Sequence, residues 1–267
     1  MNNILTLKNL DIKIDKKNIL KDININAKSG ECIAILGQNG EGKSTILKTI
    51  MGHYSTSIGK GEIIFKENLI NNLKSFERSK LGIFLINQNP IEIEGLKTID
   101  FYKSILNAKG IKLKTIEFYK TIEKNLKLVN LNQDILERDF NLGFSGGEKK
   151  RNEIIQMLLL KPELILVDEI DSGLDVDSFK IIVDILKQQL KNGKTMIIVS
   201  HNKELIKQLQ PNKIYLLANQ TIVHTGNYDF AMDIMENGFK KVLNKLNIKD
   251  QDKKILGTCI GEHFVKK

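Results

Sequence analysis

The stretch that decides the fold runs from Ile33 to Thr45 and reads IAILGQNGEGKST. Its first four residues are apolar and predict a buried strand, and residues 46–51 have the spacing of a helix. In the glycine-rich turn between them, successive backbone N–H groups can point at one anion, and the N-terminus of the helix adds a partial positive charge. The spacing of the glycines before Lys43 and Ser44 is that of a phosphate-binding P-loop. A chance glycine-rich turn is the alternative, and the flanking strand and helix argue against it.

The P-loop predicts a ligand that carries a phosphate chain and a magnesium ion. The ammonium group of Lys43 can reach the β- and γ-phosphates, and the hydroxyl of Ser44 is a suitable ligand for Mg²⁺. The residues expected to surround the phosphates are Gly37, Gln38, Asn39, Gly40, Glu41, Gly42, Lys43, Ser44 and Thr45.

The rest of the chain predicts an α/β fold around this loop. Alternating apolar residues in 4–36 predict antiparallel strands, whereas residues 97–160 change to a spacing of three or four and predict a helical insert. Further predicted elements are a loop at 52–61, strands at 62–65, 81–86, 164–167 and 195–199, a helix at 178–191, two short strands within 213–225 and a helix from 228 onward. The predicted division is a catalytic α/β core with an antiparallel β subdomain (1–96 and 161–240), a helical subdomain (97–160) and a lysine-rich, mobile tail (241–267).

The composition of the chain argues against several classes of partner and site. The chain has 267 residues, of which 41% are hydrophobic, and a net charge of +9 from 41 basic and 32 acidic residues. Lysines are spread along the chain rather than gathered in a stripe with aromatic residues, so we expect no nucleic-acid partner. No apolar run is long enough for a membrane span, and no leader is apparent. We therefore expect a cytoplasmic protein, or one of the plastid stroma if a leader was removed. Only Cys32 and Cys259 are available, too few for a disulfide framework or a CxxC metal site.

Two carboxylates follow the predicted strand at 164–167. Asp168 and Glu169 would lie at the carboxyl end of that strand, where ligands bind in open α/β sheets. Asp168 suits contact with the Mg²⁺ shell, and Glu169 suits polarisation of an attacking water. An apolar strand that ends in two acids is a weak signal alone, and the P-loop upstream makes it a strong one.

The most distinctive stretch, FSGGE, begins at Phe144. Ser145 and Glu148 stand three apart before a helical run, which predicts a capping box worth about 1 kcal/mol. Capping leaves Gly146 and Gly147 unexplained, because each glycine costs a helix roughly 1 kcal/mol. A bare backbone that approaches an anion would explain both.

These motifs, in this order, resemble those of the ATP-binding cassette (ABC) ATPases over residues 3 to 240. In addition to the P-loop and the strand that ends in Glu169, the chain has the Q-loop residue Gln88, a D-loop at residues 172–175 and the switch histidine His201. The resemblance implies that two copies pair head to tail, so that Ser145, Gly146, Gly147 and Glu148 of one copy meet the ATP held by the other. It implies the following roles: catalytic base Glu169, γ-phosphate sensor His201, sensor of Mg²⁺ and the γ-phosphate Gln88, metal-site residues Ser44, Gln88 and Asp168, and D-loop nucleotide contact Asp175.

Within the family, residues 143–152 and 168–175 are similar to those of the SufC-type ATPases, which serve the SUF iron–sulfur cluster assembly machinery. Glu148 stands where transporters usually carry glutamine. The resemblance implies partners of the SufB/SufD scaffold type in place of a membrane domain. The alternatives are the ATPase subunit of an ABC transporter and a nucleotide-gated binding module with little turnover. Glu169 and His201 argue against the module.

Two further expectations concern binding surfaces. Residues 1–53 contain no Phe, Tyr or Trp that could stack on adenine, which predicts modest nucleotide affinity and loose base selectivity. Residues 88–95 alternate Ile91 and Ile93 with acidic residues after a proline. They form either an edge strand with one face on the core or a docking surface hinged on Gln88.

Overall fold

The P-loop strand lies in the middle of a six-stranded sheet in this structure, a computed structural model that describes residues 2–248. The strands are β1 (Asn3–Ile14), β2 (Lys17–Lys28), β3 (Cys32–Leu36), β4 (Ser57–Phe65), β5 (Asn68–Leu69), β6 (Ile83–Ile86), β7 (Ile93–Lys97), β8 (Asp139–Phe140), β9 (Leu164–Asp168), β10 (Thr195–Val199), β11 (Lys213–Ala218) and β12 (Thr221–Gly226). The helices are α1 (Lys43–Met51), α2 (Ser75–Leu81), α3 (Thr98–Ala108), α4 (Thr115–Leu128), α5 (Gly146–Leu160), α6 (Val176–Lys191), α7 (Lys203–Leu209), α8 (Tyr228–Asn237) and α9 (Phe239–Lys245), with a 3-10 turn at Gln133–Glu137.

The central sheet has the order β12-β11-β3-β10-β9-β6. Its neighbouring strands are parallel except for β12, which runs antiparallel to β11. A second sheet, β2-β1-β4-β5, is antiparallel throughout, as expected for the N-terminal subdomain. The predicted α/β fold with an antiparallel β subdomain and a helical insert is therefore confirmed.

The central sheet separates two cores, because alternate side chains of a strand point to opposite faces. In β9, Leu164 and Leu166 pack with α1 and the antiparallel sheet, whereas Ile165 and Val167 pack with the helical insert. Cys32 of β3 lies in the core that faces the helical insert, as predicted for a small core residue. Burial raises the pKa of its thiol to about 12. The thiol is therefore unreactive at neutral pH.

A short two-stranded sheet lies at the start of the helical insert, and the sequence indicated only its first strand, as the edge-strand alternative for residues 88–95. In it β7 pairs with β8, so that Ile93 lies opposite Phe140 and Lys97 opposite Asp139. A two-residue strand is too short to give a periodic signal. The insert is otherwise helical, in α3, α4 and α5.

Several predicted boundaries differ from those of the structure. The strand expected at 62–65 begins at Ser57, and Gly61 has φ +90° where an added Cβ would lie 2.3 Å from the carbonyl oxygen of Asn9. The strand expected at 81–86 begins at Ile83, because Leu81 ends α2, a helix that the sequence reading missed, and Gly82 caps it. The fold also continues past residue 240, since Val242 of α9 is buried in the core.

Residues 2–248 include no helix long and apolar enough to cross a membrane. Most of the tail that was predicted to be mobile lies outside the described residues, and so does Cys259.

Candidate nucleotide-binding site

The turn between β3 and α1 has the backbone that a phosphate cradle needs. Gly40 and Gly42 have φ angles of +80° and +99°, which other residues rarely adopt. A Cβ on Gly37 would lie 2.4 Å from the carbonyl oxygen of Leu217, whereas one on Gly40 would point into open space. Close packing therefore fixes the start of the loop, and the middle of the loop stays open for a ligand.

The ammonium group of Lys43 lies against the backbone of this loop. Its side chain is buried, and its ammonium group donates to the carbonyl oxygens of Gly37 and Gln38 at 2.8 and 2.9 Å. Glu41 is buried as well, and Thr45 lies half-buried in the first turn of α1. The structure therefore brings the predicted P-loop residues together around a positive group and the N-terminus of a helix, which suits a polyphosphate.

Ser44 and Asp168 meet where a magnesium ion would bind. Asp168 follows Leu164 and Leu166 by the alternation of β9, so it faces α1, and the hydroxyl of Ser44 donates to its Oδ1 at 2.7 Å. Burial raises the pKa of Asp168, although the bond from Ser44 opposes this shift. A hydroxyl and a buried carboxylate fit Mg²⁺, which is usually held by one or two carboxylates together with the phosphates of the substrate. Residues 2–248 contain no cluster of three His, Cys, Asp or Glu side chains that could hold a metal ion.

Glu169, Gln88 and His201 converge next to this pair. Glu169 has φ +42°, and its backbone N–H donates to the carbonyl oxygen of Val199 at 2.9 Å, which turns the chain as β9 ends. The side-chain amide of Gln88 donates to Oε2 of Glu169 at 2.6 Å. Nε2 of His201 lies 3.9 Å from Oε1 of the same carboxylate. The structure therefore brings the predicted base together with the two predicted sensors.

The environment of His201 favours its neutral form. Burial lowers the pKa of the imidazole most, and the charge of Lys43 lowers it further, against the opposing effects of Glu169 and Asp171. Asp171 in turn accepts from the hydroxyl of Ser200 at 2.8 Å. A neutral imidazole can donate from one ring nitrogen and accept at the other, as a γ-phosphate sensor requires.

The predicted capping box is present at the start of α5. The Ser145 hydroxyl accepts from the N–H of Glu148 at 3.2 Å, and the Glu148 carboxylate accepts from the N–H of Ser145 at 2.7 Å. These contacts occupy Glu148 in capping, and Ser145 itself is exposed to solvent.

The two glycines of this motif also have a structural cause. A Cβ on Gly147 would lie 2.8 Å from Oγ of Ser178, and one on Gly146 would lie 3.2 Å from the carbonyl oxygen of Gly173. Packing against the D-loop therefore contributes to the need for glycine, in addition to the predicted approach of an anion.

Asp175 acts as a helix cap in this structure. Its carboxylate accepts from the N–H and the hydroxyl of Ser178 at 2.8 and 2.7 Å, and these bonds lower its pKa. The cap places the start of α6 at Val176, two residues before the predicted start. The side-chain hydrogen bonds of Asp175 to Ser178 thus lie within the first turn of α6.

Sequence reasoning missed a polar cluster that joins α5 to the segment before Gln88. The carboxylate of Glu153 accepts from the backbone N–H and the side-chain amide of Asn87, at 2.9 and 3.0 Å, and the ammonium group of Lys150 donates to the carbonyl oxygen of Asn87. The available signal was helical spacing, because Lys150, Glu153 and Met157 share one buried stripe of α5. Charged residues on an apolar stripe are usually paired.

Comparison with known proteins gives one family. The family described as "ABC transporter" matches residues 20–172. A "Probable ATP-dependent transporter ycf16" of Trieres chinensis is 43% identical over 242 residues, covering 89% of this chain and 96% of that protein. The "Probable ATP-dependent transporter slr0075" of Synechocystis sp. is 40% identical, covering 88% of this chain and 94% of that protein.

A solved structure agrees with this match. The ATP-binding cassette MJ0796, in a dimeric post-hydrolysis state bound to ADP and phosphate, superposes with a TM-score of 0.73 at 26% identity. The superposition covers 84% of this chain and 98% of that one.

Proposed function

Because the chain belongs to the ABC family of ATPases, which bind ATP with Mg²⁺ and hydrolyse it, we propose that its ATP hydrolysis drives iron–sulfur cluster assembly on scaffold proteins of the SufB/SufD type. The proposal concerns the partner and the use of the energy. It rests on the SufC-like residues of α5 and on their contacts with the segment that follows Gln88.

One observation carries the proposal, namely that α5 holds this segment by specific polar bonds. Lys149 forms an ion pair with Glu92 at 2.5 Å. The side-chain amide of Asn141 donates to the carbonyl oxygen of Ile91 at 2.7 Å, and its oxygen accepts from the side chain of Asn152 at 2.7 Å. Ile91 is 67% exposed in this fixed position. Lys149 and Asn152 belong to the SufC-like stretch, so residues of that stretch also shape the surface next to Gln88.

The expected reaction is the attack of a water molecule on the γ-phosphorus of ATP, which releases ADP and inorganic phosphate. Ser44, Asp168 and Gln88 would hold Mg²⁺, and the bound ion would neutralise charge on the phosphates. Glu169 orients the water and accepts its proton, and His201 holds the γ-phosphate. Lys43 stabilises the negative charge of the β- and γ-phosphates.

Dimerisation would complete the site. In the proposed dimer the exposed Ser145 of a second copy reaches the γ-phosphate, so that closure depends on bound ATP. Closure moves α5, and the bonds from α5 to residues 87–92 carry that movement to the docked scaffold.

The test is an affinity pull-down from the source cell with the intact chain, with and without ATP, followed by identification of the captured proteins and a phosphate-release assay. Capture of scaffold proteins that lack membrane spans, and that raise the rate of phosphate release, is the expected result. Capture of a membrane-embedded protein alone would overturn the proposal.

The second candidate is the ATPase subunit of a transporter. Both relatives are named "Probable ATP-dependent transporter", which favours this candidate. The same pull-down separates the two candidates, because a transporter subunit would be captured with a membrane protein whose presence stimulates hydrolysis in vesicles.

A further inference from the structure

We propose that Glu153 is a positioning residue for ATP hydrolysis, which fixes Gln88 against Glu169 by holding the backbone of Asn87. The inference rests on the site roles proposed for Gln88 and Glu169, and it is independent of the scaffold partner. Glu153 lies on α5, outside the predicted motifs, and its hydrogen bonds join it to Asn87.

The geometry begins at the end of β6. Ile86 is the last residue of that strand to pair with β9, opposite Val167. The next backbone N–H, that of Asn87, donates to Oε1 of Glu153 and not to a neighbouring strand. A side chain from the helical insert therefore ends the strand and sets the direction in which the chain leaves the sheet.

Asn87 is held on three sides. Glu153 accepts from its N–H and from its side-chain amide, and Lys150 donates to its carbonyl oxygen. With both of its peptide groups fixed, the residue that follows has little freedom, and that residue is Gln88. The amide of Gln88 then reaches the predicted base at 2.6 Å. The path from α5 to Glu169 consists of Glu153, Asn87 and Gln88.

The chemistry of Glu153 argues against a purely stabilising role. Its side chain is buried, and its Oε2 has no hydrogen-bond partner within residues 2–248. Burial raises the pKa of this carboxyl to about 7, against the bonds from Asn87 and the charge of Lys150. A buried, half-satisfied carboxyl is costly, and an apolar residue of similar size would often be as stable or more so. The acceptor that it offers to Asn87 is the feature that an apolar residue cannot supply.

The experiment compares kcat and KM for ATP, by phosphate release, in the full-length chain and its variants. Glu153→Ala removes the acceptor of both Asn87 donors, so we expect kcat to fall about tenfold while KM stays within about twofold, since the phosphate cradle is untouched. Glu153→Gln keeps an acceptor oxygen and should restore kcat to within about twofold of the wild type. The matched control is Gln156→Ala, one turn further along α5, whose side chain donates to the carbonyl oxygen of Asn152 in its own helix.

A wild-type kcat in folded Glu153→Ala would overturn the proposal. So would a loss that Glu153→Gln does not restore, or an equal loss in Gln156→Ala. If Glu153→Ala does not fold, Asn87→Ala decides, because it removes one of the two donors; we expect a fall in kcat of about threefold at constant KM, and no change would overturn the proposal. Glu169→Gln is run in parallel, so that an active Glu169→Gln reports failure of the site assignment and not of the role of Glu153.

Discussion

The region that would hold ATP and the region that would meet a second protein differ in how complete they are. Around the P-loop, the polar side chains are already paired within the chain, as in the bonds from Lys43 to Gly37, from Ser44 to Asp168 and from Gln88 to Glu169. At the start of α5, the hydroxyl of Ser145 makes the capping contact and is exposed. Nearby surfaces carry exposed apolar residues, including Ile91 and Val176, which is 84% exposed.

This difference indicates that the two regions have different roles, one in nucleotide binding and the other in contact with a second protein. Polar groups that are held in place before the substrate arrives do not need to reorganise during the reaction, so a paired site is suited to binding and to charge stabilisation. Exposed groups whose contacts are few gain most when a partner covers them. A single chain would thus bind nucleotide with its paired region and would need a second protein to complete its exposed one.

The largest effect is expected from a substitution of Glu169, the predicted base of the paired region. Glu169→Gln keeps the contact with Gln88 and removes the proton acceptor, so we expect kcat to fall by about 10²–10⁴-fold, the usual contribution of a general base. ATP binding should persist and trap a nucleotide-bound dimer. Steady-state phosphate release and gel filtration with ATP measure both effects. Glu163→Gln, an exposed carboxylate that immediately precedes β9, is the control. Turnover at the wild-type rate in Glu169→Gln would show that another group is the base.

Lys43→Ala should have the next largest effect, on binding and not on chemistry alone. The ammonium group is worth one or two charge-assisted hydrogen bonds to phosphate, so we expect the dissociation constant for ATP to rise about 10- to 100-fold. Titration calorimetry with ATP measures this change. Lys120→Ala, an exposed lysine of α4, should leave the affinity unchanged. Equal affinity in Lys43→Ala would mean that the backbone N–H groups of the cradle suffice.

The paired region was the part that the sequence predicted best. The glycine spacing up to Ser44 and the apolar run before Asp168 are local patterns, and the parallel sheet brings their ends together. The bonds of Glu153 to Asn87 were missed because they join positions 66 residues apart, which no local pattern relates. The β7–β8 pair and the early start of β4 at Ser57 depend likewise on partners distant in sequence, including Asn9, whose carbonyl oxygen lies where a side chain at Gly61 would be.

A dilution experiment sharpens the comparison, because only the exposed region depends on a second copy. If Ser145 acts on the ATP of a partner, the specific activity of the free protein should fall about tenfold or more over a hundredfold dilution. In addition, a mixture of Lys43→Ala and Ser145→Ala should recover activity, since a mixed dimer contains one intact composite site. Constant specific activity in a protein that sediments as a monomer would contradict a composite site.

The segment after Gln88 allows the exposed region to be tested with a matched pair. The edge-strand expectation holds for Ile93, which is half-buried in β7 opposite Phe140. Ile91 is exposed, and the docking surface stays a prediction. We expect Ile91→Ser to weaken scaffold binding about tenfold, the equivalent of burying one isoleucine partly, without a change in melting temperature. Ile93→Ser should instead lower the melting temperature. Titration calorimetry against SufB/SufD-type scaffolds and thermal melting measure these outcomes. Unchanged affinity in Ile91→Ser would remove this segment from the interface.

The smallest expected effect concerns Glu153, which joins the two regions, and it appears as a pH dependence of stability. Burial raises the pKa of its carboxyl from 4.5 to about 7, so between these values the folded chain holds a proton that the unfolded chain releases. Stability therefore decreases as the pH rises through this window, is unaffected by this group below pH 4.5, and bears the full penalty above about pH 7.

Glu153→Gln cannot ionise and keeps the acceptor for Asn87, so its melting temperature should match the wild type at pH 4.5 and exceed it by a few degrees at pH 8. His201, whose lowered pKa makes stability fall as the pH falls below 6.5, is present in both proteins and cancels in the difference. Exposed Glu163→Gln should show no pH-dependent gain. A difference in melting temperature between Glu153→Gln and the wild type that does not change with pH would mean that the carboxylate stays ionised in the fold. Glu153 would then be held by an ion pair with Lys150, in place of a neutral hydrogen-bonded link to Asn87.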